Sequence, residues 1–236
     1  MNHTRVVACI LALSLGGTLA HAGPVLRHTW GDPSGVTVNQ DWSGPHVYTQ
    51  TLSISGLAGN VSRIHLTVLT DIYGAPAAWS MTLRGATPAP DCRGAAAFTA
   101  SPTVAGAQTI PGMTLSVAGS WFDLAGPRPR IEVDAGIAPP LAADPAMRYA
   151  LATLGFDHAH SVTGDGGGTA CGGAELPFCF VVGTADIYHA APDYTVERAT
   201  VEPGVLTWQN ADGHVDCLQA VPAKATTWGR LKAIYR

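Results

Sequence analysis

Two histidines two positions apart form the pattern in this chain that comes closest to a chemical site. In GFDHAHSV, an extended strand would point His158 and His160 to one side and Asp157 to the other. Imidazoles spaced in this way can bind one metal ion, and Asp186 or His189 could join them from a neighbouring strand. The alternative is two solvent-facing histidines on an amphipathic strand, because H-x-H alone is a weak signal. A metal-dependent enzyme using His158 and His160 is therefore only one candidate.

Tryptophans offer a second candidate site, for sugars. Trp42 and Trp121 each have an aspartate within two positions, which favours exposure, and exposed tryptophans on β-sandwiches often stack on sugar rings. Trp79 and Trp208 instead fall on the apolar faces of predicted strands and are expected in the core. A carbohydrate-binding module that uses Trp42 and Trp121 is thus another candidate function.

Short β-strands are the elements that must position these residues. Strongly alternating segments include HVYTQTLSISG, VSRIHLTVLTDI, RPRIEVDAG, FCFVVGTADIYH and VLTWQN, and RYALATLGFDHAHSV is predicted to be one strand. Such runs predict an all-β chain, an antiparallel β-sandwich of jelly-roll or immunoglobulin-like type over residues 23–222. The proline-rich segment 136–147 could separate two domains or cross over within one, and we favour one domain.

The N-terminal segment predicts export. Arg5 is followed by an apolar run from Val6 to Leu19 and by Ala20-His21-Ala22, so residues 1–22 read as a signal peptide. The apolar run is too short for a permanent membrane span, and no later stretch is long enough. We expect a periplasmic, cell-surface or extracellular protein with no transmembrane span once the signal is removed.

Four cysteines remain after this segment, and an even number in an exported chain predicts two disulfides. Cys171 and Cys179 flank GGAELPF, a loop rich in turn formers, so we pair them locally. That choice leaves Cys92 paired with Cys217. A zinc site is the alternative, but the usual C-x2-C spacing is absent.

Composition narrows the choice of partners. Charged residues make up 13% of the chain, against about 25% in a typical domain. Without Arg5, 12 basic residues stand against 17 acidic ones. This balance argues against a nucleic-acid partner, which would need a basic face. The apolar content is ample for a packed core, so the chain is not a disordered linker.

The order of several motifs resembles a family of exported bacterial proteins that carries no assigned activity. The motifs are W-x-D at Trp30, PAAWSMTLRG, RYALATLGFDHAHSV, the C-x7-C loop in CGGAELPFCFVV, VLTWQN and the tail TTWGRLKAIYR. The resemblance covers most of the chain after residue 22. A similar tail ends otherwise unlike exported proteins, which implies a sorting or attachment signal. This chain lacks further cysteines near its N-terminus and around Trp121, so one disulfide of the family would be missing here.

The tail, residues 223–236, differs from the rest of the chain. Trp228, Leu231, Ile234 and Tyr235 would share one face of a short helix, with the basic residues Arg230, Lys232 and Arg236 mostly elsewhere. So short a helix is marginal alone and must dock on something.

Two docking surfaces remain open for the tail. It could close one end of the sandwich, or export machinery or an anionic envelope surface could recognise it through Trp228, Arg230, Lys232 and Tyr235. We favour recognition, because a closing element gains nothing from holding lysines, and both lysines of the chain, Lys224 and Lys232, lie within the tail.

These observations together predict a secreted or surface-attached, non-enzymatic β-sandwich protein with a structural or adhesive role and no cofactor. The expected partner is a component of the cell envelope or the export machinery, contacted through the tail. A carbohydrate-binding module and a metal-dependent enzyme are the alternatives.

Overall fold

The computed structural model describes residues 23–31, 37–70, 98–120, 130–159, 161–164 and 172–209. Within these ranges the chain forms twelve strands and no helix. The strands are β1 Val25–Trp30, β2 Asn39–Gln40, β3 Val47–Ser55, β4 Gly59–Thr70, β5 Phe98–Ser101, β6 Met113–Ser120, β7 Arg130–Ala143, β8 Arg148–Asp157, β9 Phe178–His189, β10 Val196–Arg198, β11 Thr200–Glu202 and β12 Val205–Trp208.

These strands form two sheets. The smaller sheet has the order β11-β1-β3-β8-β5, and the larger has the order β2-β12-β9-β4-β7-β6, with β10 paired to β9. All pairs are antiparallel except β1 with β11 and β2 with β12. The predicted all-β antiparallel sandwich is therefore confirmed, with two parallel strand pairs that were not predicted. The predicted helical tail lies outside the described residues.

The core lies between the two sheets, on the faces that alternation predicts. Ile64, Leu66 and Val68 of β4 are buried, as are Tyr48, Leu52 and Ile54 of β3. Large aromatic side chains fill the middle, where Trp30 contacts the rings of Phe156, Phe180 and Trp208. Trp208 is completely buried, as its position on an apolar strand face predicts.

The proline-rich segment 136–147 is not a linker between described units. Residues 136–143 belong to β7, and a tight turn at residues 144–147 leads directly into β8. Pro139 and Pro140 fit in this strand because the register with β4 shifts around Ser62, and pairing with β6 ends at Ile137. No ladder hydrogen bond is required of either proline there, since a bulge or a strand edge tolerates a missing N–H.

The two ends of the sandwich differ. We call one the loop end, which carries the strand termini Trp30, Val47, Asp157, Phe178 and Trp208. Strands also begin or end there on both sides of four ranges outside the described residues, 32–36, 71–97, 121–129 and 165–171. The strand before residues 210–236 ends there as well. We call the opposite end, with the turns at residues 56–58, 144–147 and 190–195, the turn end. In the described ranges no helix is long and apolar enough to cross a membrane.

Candidate functional site

An aromatic cluster extends from the core to the surface at the loop end. Trp42, after β2, stacks on Tyr48 of β3, with ring centroids 5.8 Å apart. Tyr48 meets Trp208 edge-on at 4.7 Å, and His158 stacks on Trp208 at 5.9 Å. We call Trp42, Tyr48, His158 and Trp208 the end cluster. It makes the loops of this end continuous with the packed core.

Hydrogen bonds from the aromatic side chains hold two loops in place. The Tyr48 hydroxyl donates to the Gly44 carbonyl oxygen at 2.8 Å and accepts from the Ser43 N–H at 2.9 Å. The Trp208 indole Nε1 donates to the Ala174 carbonyl oxygen at 2.7 Å. Buried tyrosine and tryptophan need such partners for their polar atoms. The loops at 41–46 and 172–177 are therefore fixed by the core beneath them.

His158 does not lie on a strand, because β8 ends at Asp157. The Asp157 carboxylate accepts from the Ala159 N–H at 2.8 Å, an Asx turn that directs the chain away from the sheet. His158 is completely buried, and its Nδ1 lies 2.9 Å from the Ser161 hydroxyl oxygen. The predicted strand through both histidines therefore ends one residue before His158, and His158 is buried, as is Phe156 two positions earlier, instead of facing solvent.

The residues proposed from sequence as metal ligands are not brought together. His158 lies at the loop end, whereas Asp186 and His189 lie toward the turn end of β9. At a rise of roughly 3.3 Å per strand residue, the length of β9 puts His189 about 30 Å from His158. Asp186 accepts from Arg198 at 3.0 Å, and His189 lies 3.5 Å from the Glu197 carboxylate. Among the described residues there is no group of three or more His, Cys, Asp or Glu able to hold a metal ion. His160 lies outside them.

Exposed aliphatic side chains surround the end cluster. Val38, Val47, Val162 and Leu176 are 39%, 51%, 41% and 46% exposed, and we call these four the apolar rim. None of the four stood out in the sequence, because a single aliphatic residue among polar or turn-forming neighbours carries no periodic signal. A search for apolar residues inside turn-forming segments such as HSVTG and AELPF would have found two of them.

Backbone hydrogen bonds attach the apolar rim to the end cluster. The N–H groups of Thr207 and Ala174 donate to the carbonyl oxygens of Val38 and Val162, at 2.7 and 3.2 Å. The His158 N–H donates to the carbonyl of His46, the residue before Val47, at 3.1 Å. The rim is thus held by the same strands and turns that build the cluster.

The formal charges in three described segments around the rim are all negative, although Arg130 begins β7 at the same end. Residues 37–46, 157–164 and 172–179 contain acidic residues, among them Asp41, Asp157 and Glu175, but no lysine or arginine. One oxygen of Glu175 accepts from the Gly164 N–H at 2.7 Å. Its other oxygen is buried and has no hydrogen-bond donor in the part of the chain that the structure describes. This end therefore combines exposed apolar groups with carboxylates that no nearby cation in these segments neutralises.

The outer face of the larger sheet has the opposite character, because its charges are paired with one another. Arg63 binds the Asp134 carboxylate through two nitrogens and holds the pKa of that carboxyl below its usual value. Glu132 accepts from Arg130 at 3.0 Å and lies 3.2 Å from the ring of His65. These partners satisfy one another and leave less charge for a ligand than the loop end does.

A second buried polar group lies in the core itself. The His28 Nε2 is 2.9 Å from the Gln50 side-chain oxygen, and both residues are completely buried. Burial lowers the pKa of His28 to about 4, and the hydrogen bond with Gln50 opposes that shift. His28 is therefore neutral in the folded protein at physiological pH.

The remaining residues proposed from sequence are placed as follows. Trp42 is half-buried in the end cluster rather than freely exposed. Cys179 is completely buried and disulfide-bonded. Which cysteine it joins stays a prediction, since Cys92, Cys171 and Cys217 lie outside the described residues, as do Trp121 and the tail residues Trp228, Arg230, Lys232 and Tyr235.

No family model matches the chain. No curated protein matches it either. Solved structures with a similar arrangement include a type II cohesin domain from the cellulosome of Acetivibrio cellulolyticus, at a TM-score of 0.38 and 10% identity over 84% of this chain and 99% of that one.

A non-cellulosomal cohesin from Archaeoglobus fulgidus gives a TM-score of 0.37 and 9% identity, over 82% of this chain and 97% of that one. A cohesin module from a Clostridium perfringens family 33 glycoside hydrolase gives a TM-score of 0.36 and 10% identity, over 78% of this chain and 93% of that one. All three TM-scores are below 0.5, so the fold of this chain follows from its own strand pairings and not from these structures.

Proposed function

We propose that this protein is a non-enzymatic module of the cell exterior that makes structural or adhesive contacts through its loop end. The observation that carries this proposal is the apolar rim, four exposed aliphatic residues on loop-end segments that are hydrogen-bonded to the strands and turns of the end cluster. Clustered exposed apolar groups are a mark of interaction surfaces, whereas scattered ones are normal. The partner we propose is a component of the cell envelope.

Two further observations support export. The N-terminal segment has the pattern of a signal peptide, and Cys179 is disulfide-bonded. Disulfides persist in oxidising compartments and are rare in the cytosol. Both features agree with a role outside the cytoplasm.

Retention on the cell surface tests the proposal. The chain would be expressed with its own N-terminal segment, and the exported protein would be divided into cell-bound and released fractions. We expect Val47→Glu with Leu176→Glu to move most of the protein into the released fraction, because two charges then interrupt the apolar rim. Val196→Glu is the matched control, since Val196 is comparably exposed but lies at the turn end. Equal retention of both variants would refute the proposal.

Sugar binding at Trp42 is the second candidate. Trp42 is only half-buried, and Asn39 donates to the Asp41 carboxylate at 3.0 Å beside it, so an aromatic ring has polar neighbours suited to sugar hydroxyls. A glycan array on the purified protein tests this function. Binding that Trp42→Ala abolishes and Tyr194→Ala leaves unchanged would support it, whereas an array without signal would remove it.

A further inference from the structure

We propose that the tail segment, Thr226–Arg236, docks on the apolar rim of its own molecule. This docking and the proposed function use the same surface, and in that respect the docking rests on the proposed function. The segment that covers the rim would be a basic amphipathic part of the chain itself. An outside partner would then have to displace the tail.

The position of β12 makes this docking geometrically easy. β12 ends at Trp208, inside the end cluster, and 16 residues from Asn210 to Ala225 lie between Gln209 and the tail segment. A chain of that length spans up to roughly 50 Å when extended, which is more than enough to cross one end of a sandwich. Because the tail is covalently attached to β12, its effective concentration at the loop end is raised, so even weak docking would be populated.

The apolar side chains of the two surfaces match. Trp228, Leu231, Ile234 and Tyr235 would form one helix face, and that face needs a surface because so short a helix is marginal in water. The apolar rim offers four exposed aliphatic side chains, and Trp42 packs against the core at the same end of the sandwich. Apolar area removed from water on both sides is the driving force for such a contact.

Charge is compatible with docking of the tail at the loop end. Arg230, Lys232 and Arg236 of the tail carry no acidic neighbour, and the carboxylates of Asp41, Asp157 and Glu175 lie around the rim without a lysine or arginine in the same segments. At the turn end, the exposed apolar residues Met147 and Val196 lie beside Arg148 and Arg198 in the chain, although the turns themselves carry the acidic residues Asp144 and Asp193. Cations in the tail therefore have a use at the loop end, which answers the objection that a closing element gains nothing from lysine.

Photo-cross-linking in the full chain tests the docking. A benzophenone amino acid would replace Leu231, and cross-linked peptides would be mapped by mass spectrometry. We expect links within one molecule to peptides that contain Val38–Val47 or Val162–Leu176. Lys232→Glu with Arg236→Glu should lower the yield roughly three-fold, because two exposed ion pairs contribute modestly. Val47→Glu with Leu176→Glu should abolish the links, and Val196→Glu should leave them unchanged.

Three results would overturn the docking: links only to the turn end, links only between molecules, or no links to the sandwich at all. The last is expected if the tail is recognised by export machinery or an envelope surface instead. Surface retention separates the two proposals. If Val47→Glu with Leu176→Glu lowers retention without any cross-link in the parent, the docking is wrong and the contact function stands. If cross-links form while retention is insensitive to the variant, the docking stands and the contact function is wrong.

Discussion

The buried side chain of His28 makes the stability of the fold depend on pH. Burial lowers the pKa of His28 to about 4, from 6.5 in the unfolded chain. Between these values the unfolded state binds a proton that the folded state does not. The contribution of neutral His28 is therefore fully present above pH 6.5 and is lost as the pH falls toward 4. Its neighbours on β1 and on the paired part of β3 include no carboxylate, so no acidic group on these strands offsets the loss.

We expect the free energy of unfolding to fall by about 3 kcal/mol between pH 6.5 and pH 4 on account of His28. Urea unfolding at several pH values measures it. His28→Leu with Gln50→Leu should remove this part of the slope, and His46→Gln, on an exposed histidine, should keep it. An unchanged slope in the double variant would show that other groups cause the acid sensitivity.

Individual side chains also show where sequence reasoning succeeds and where it stops. Trp208 was predictable as buried because it alternates with apolar neighbours on a strand. The burial of His158 fits the alternation that buries Phe156, but the end of β8 before His158 was not predictable, because it depends on the Asx turn formed by Asp157. A hydrogen bond to one backbone N–H decides the outcome, and the residue pattern does not record it.

At the scale of elements, strand faces were predictable and strand partners were not. Alternation placed Ile64, Leu66 and Val68 of β4 on the core side, as observed. The same rule counted Pro139 and Pro140 as breakers, although a bulge opposite Ser62 accommodates both within β7. Local patterns carry no information on which neighbour a strand will pair with, so neither this bulge nor the parallel pairs could be predicted.

The turn before β6 brings Gly112 close to the backbone of β7. Gly112 has φ +68°, and a Cβ there would collide with the carbonyl oxygen of Ala138 on β7. Gly31 has nearly the same φ, +59°, with open space around it. We expect Gly31→Ala to cost about 1 kcal/mol of left-handed backbone strain, and Gly112→Ala to cost more than about 3 kcal/mol. Thermal or chemical unfolding measures both, and equal costs would contradict the close approach of β7 to Gly112.

The partner of Cys179 in its disulfide is also open to a direct test. Non-reducing peptide mapping should find Cys179 joined to Cys171, a short loop whose bridge constrains the unfolded chain by about 2–3 kcal/mol. Cys92 should then be joined to Cys217. Finding Cys92 joined to Cys171 or Cys179 would contradict this pairing.

At the scale of the whole molecule, the proposed contact function depends on the difference between the two ends. The loop end combines the apolar rim with the end cluster, whereas the turn end is built from short turns. Trp42 could be named from the sequence as a candidate contact residue. That Val47, at the start of β3 in one sheet, and Leu176, just before β9 in the other sheet, lie at the same end of the sandwich could not be predicted, because pairing between distant strands places them there.

Hydroxyl-radical footprinting on intact cells tests this central claim most directly. Labelling of exported protein bound to the cell surface would be compared with labelling of the same protein free in solution. We predict that Trp42, Val47 and Leu176 are protected several-fold on cells, while Met147 and Tyr194 at the turn end are labelled equally in both states. Protection at Met147 and Tyr194, or no difference at the loop end, would contradict a contact surface at the apolar rim.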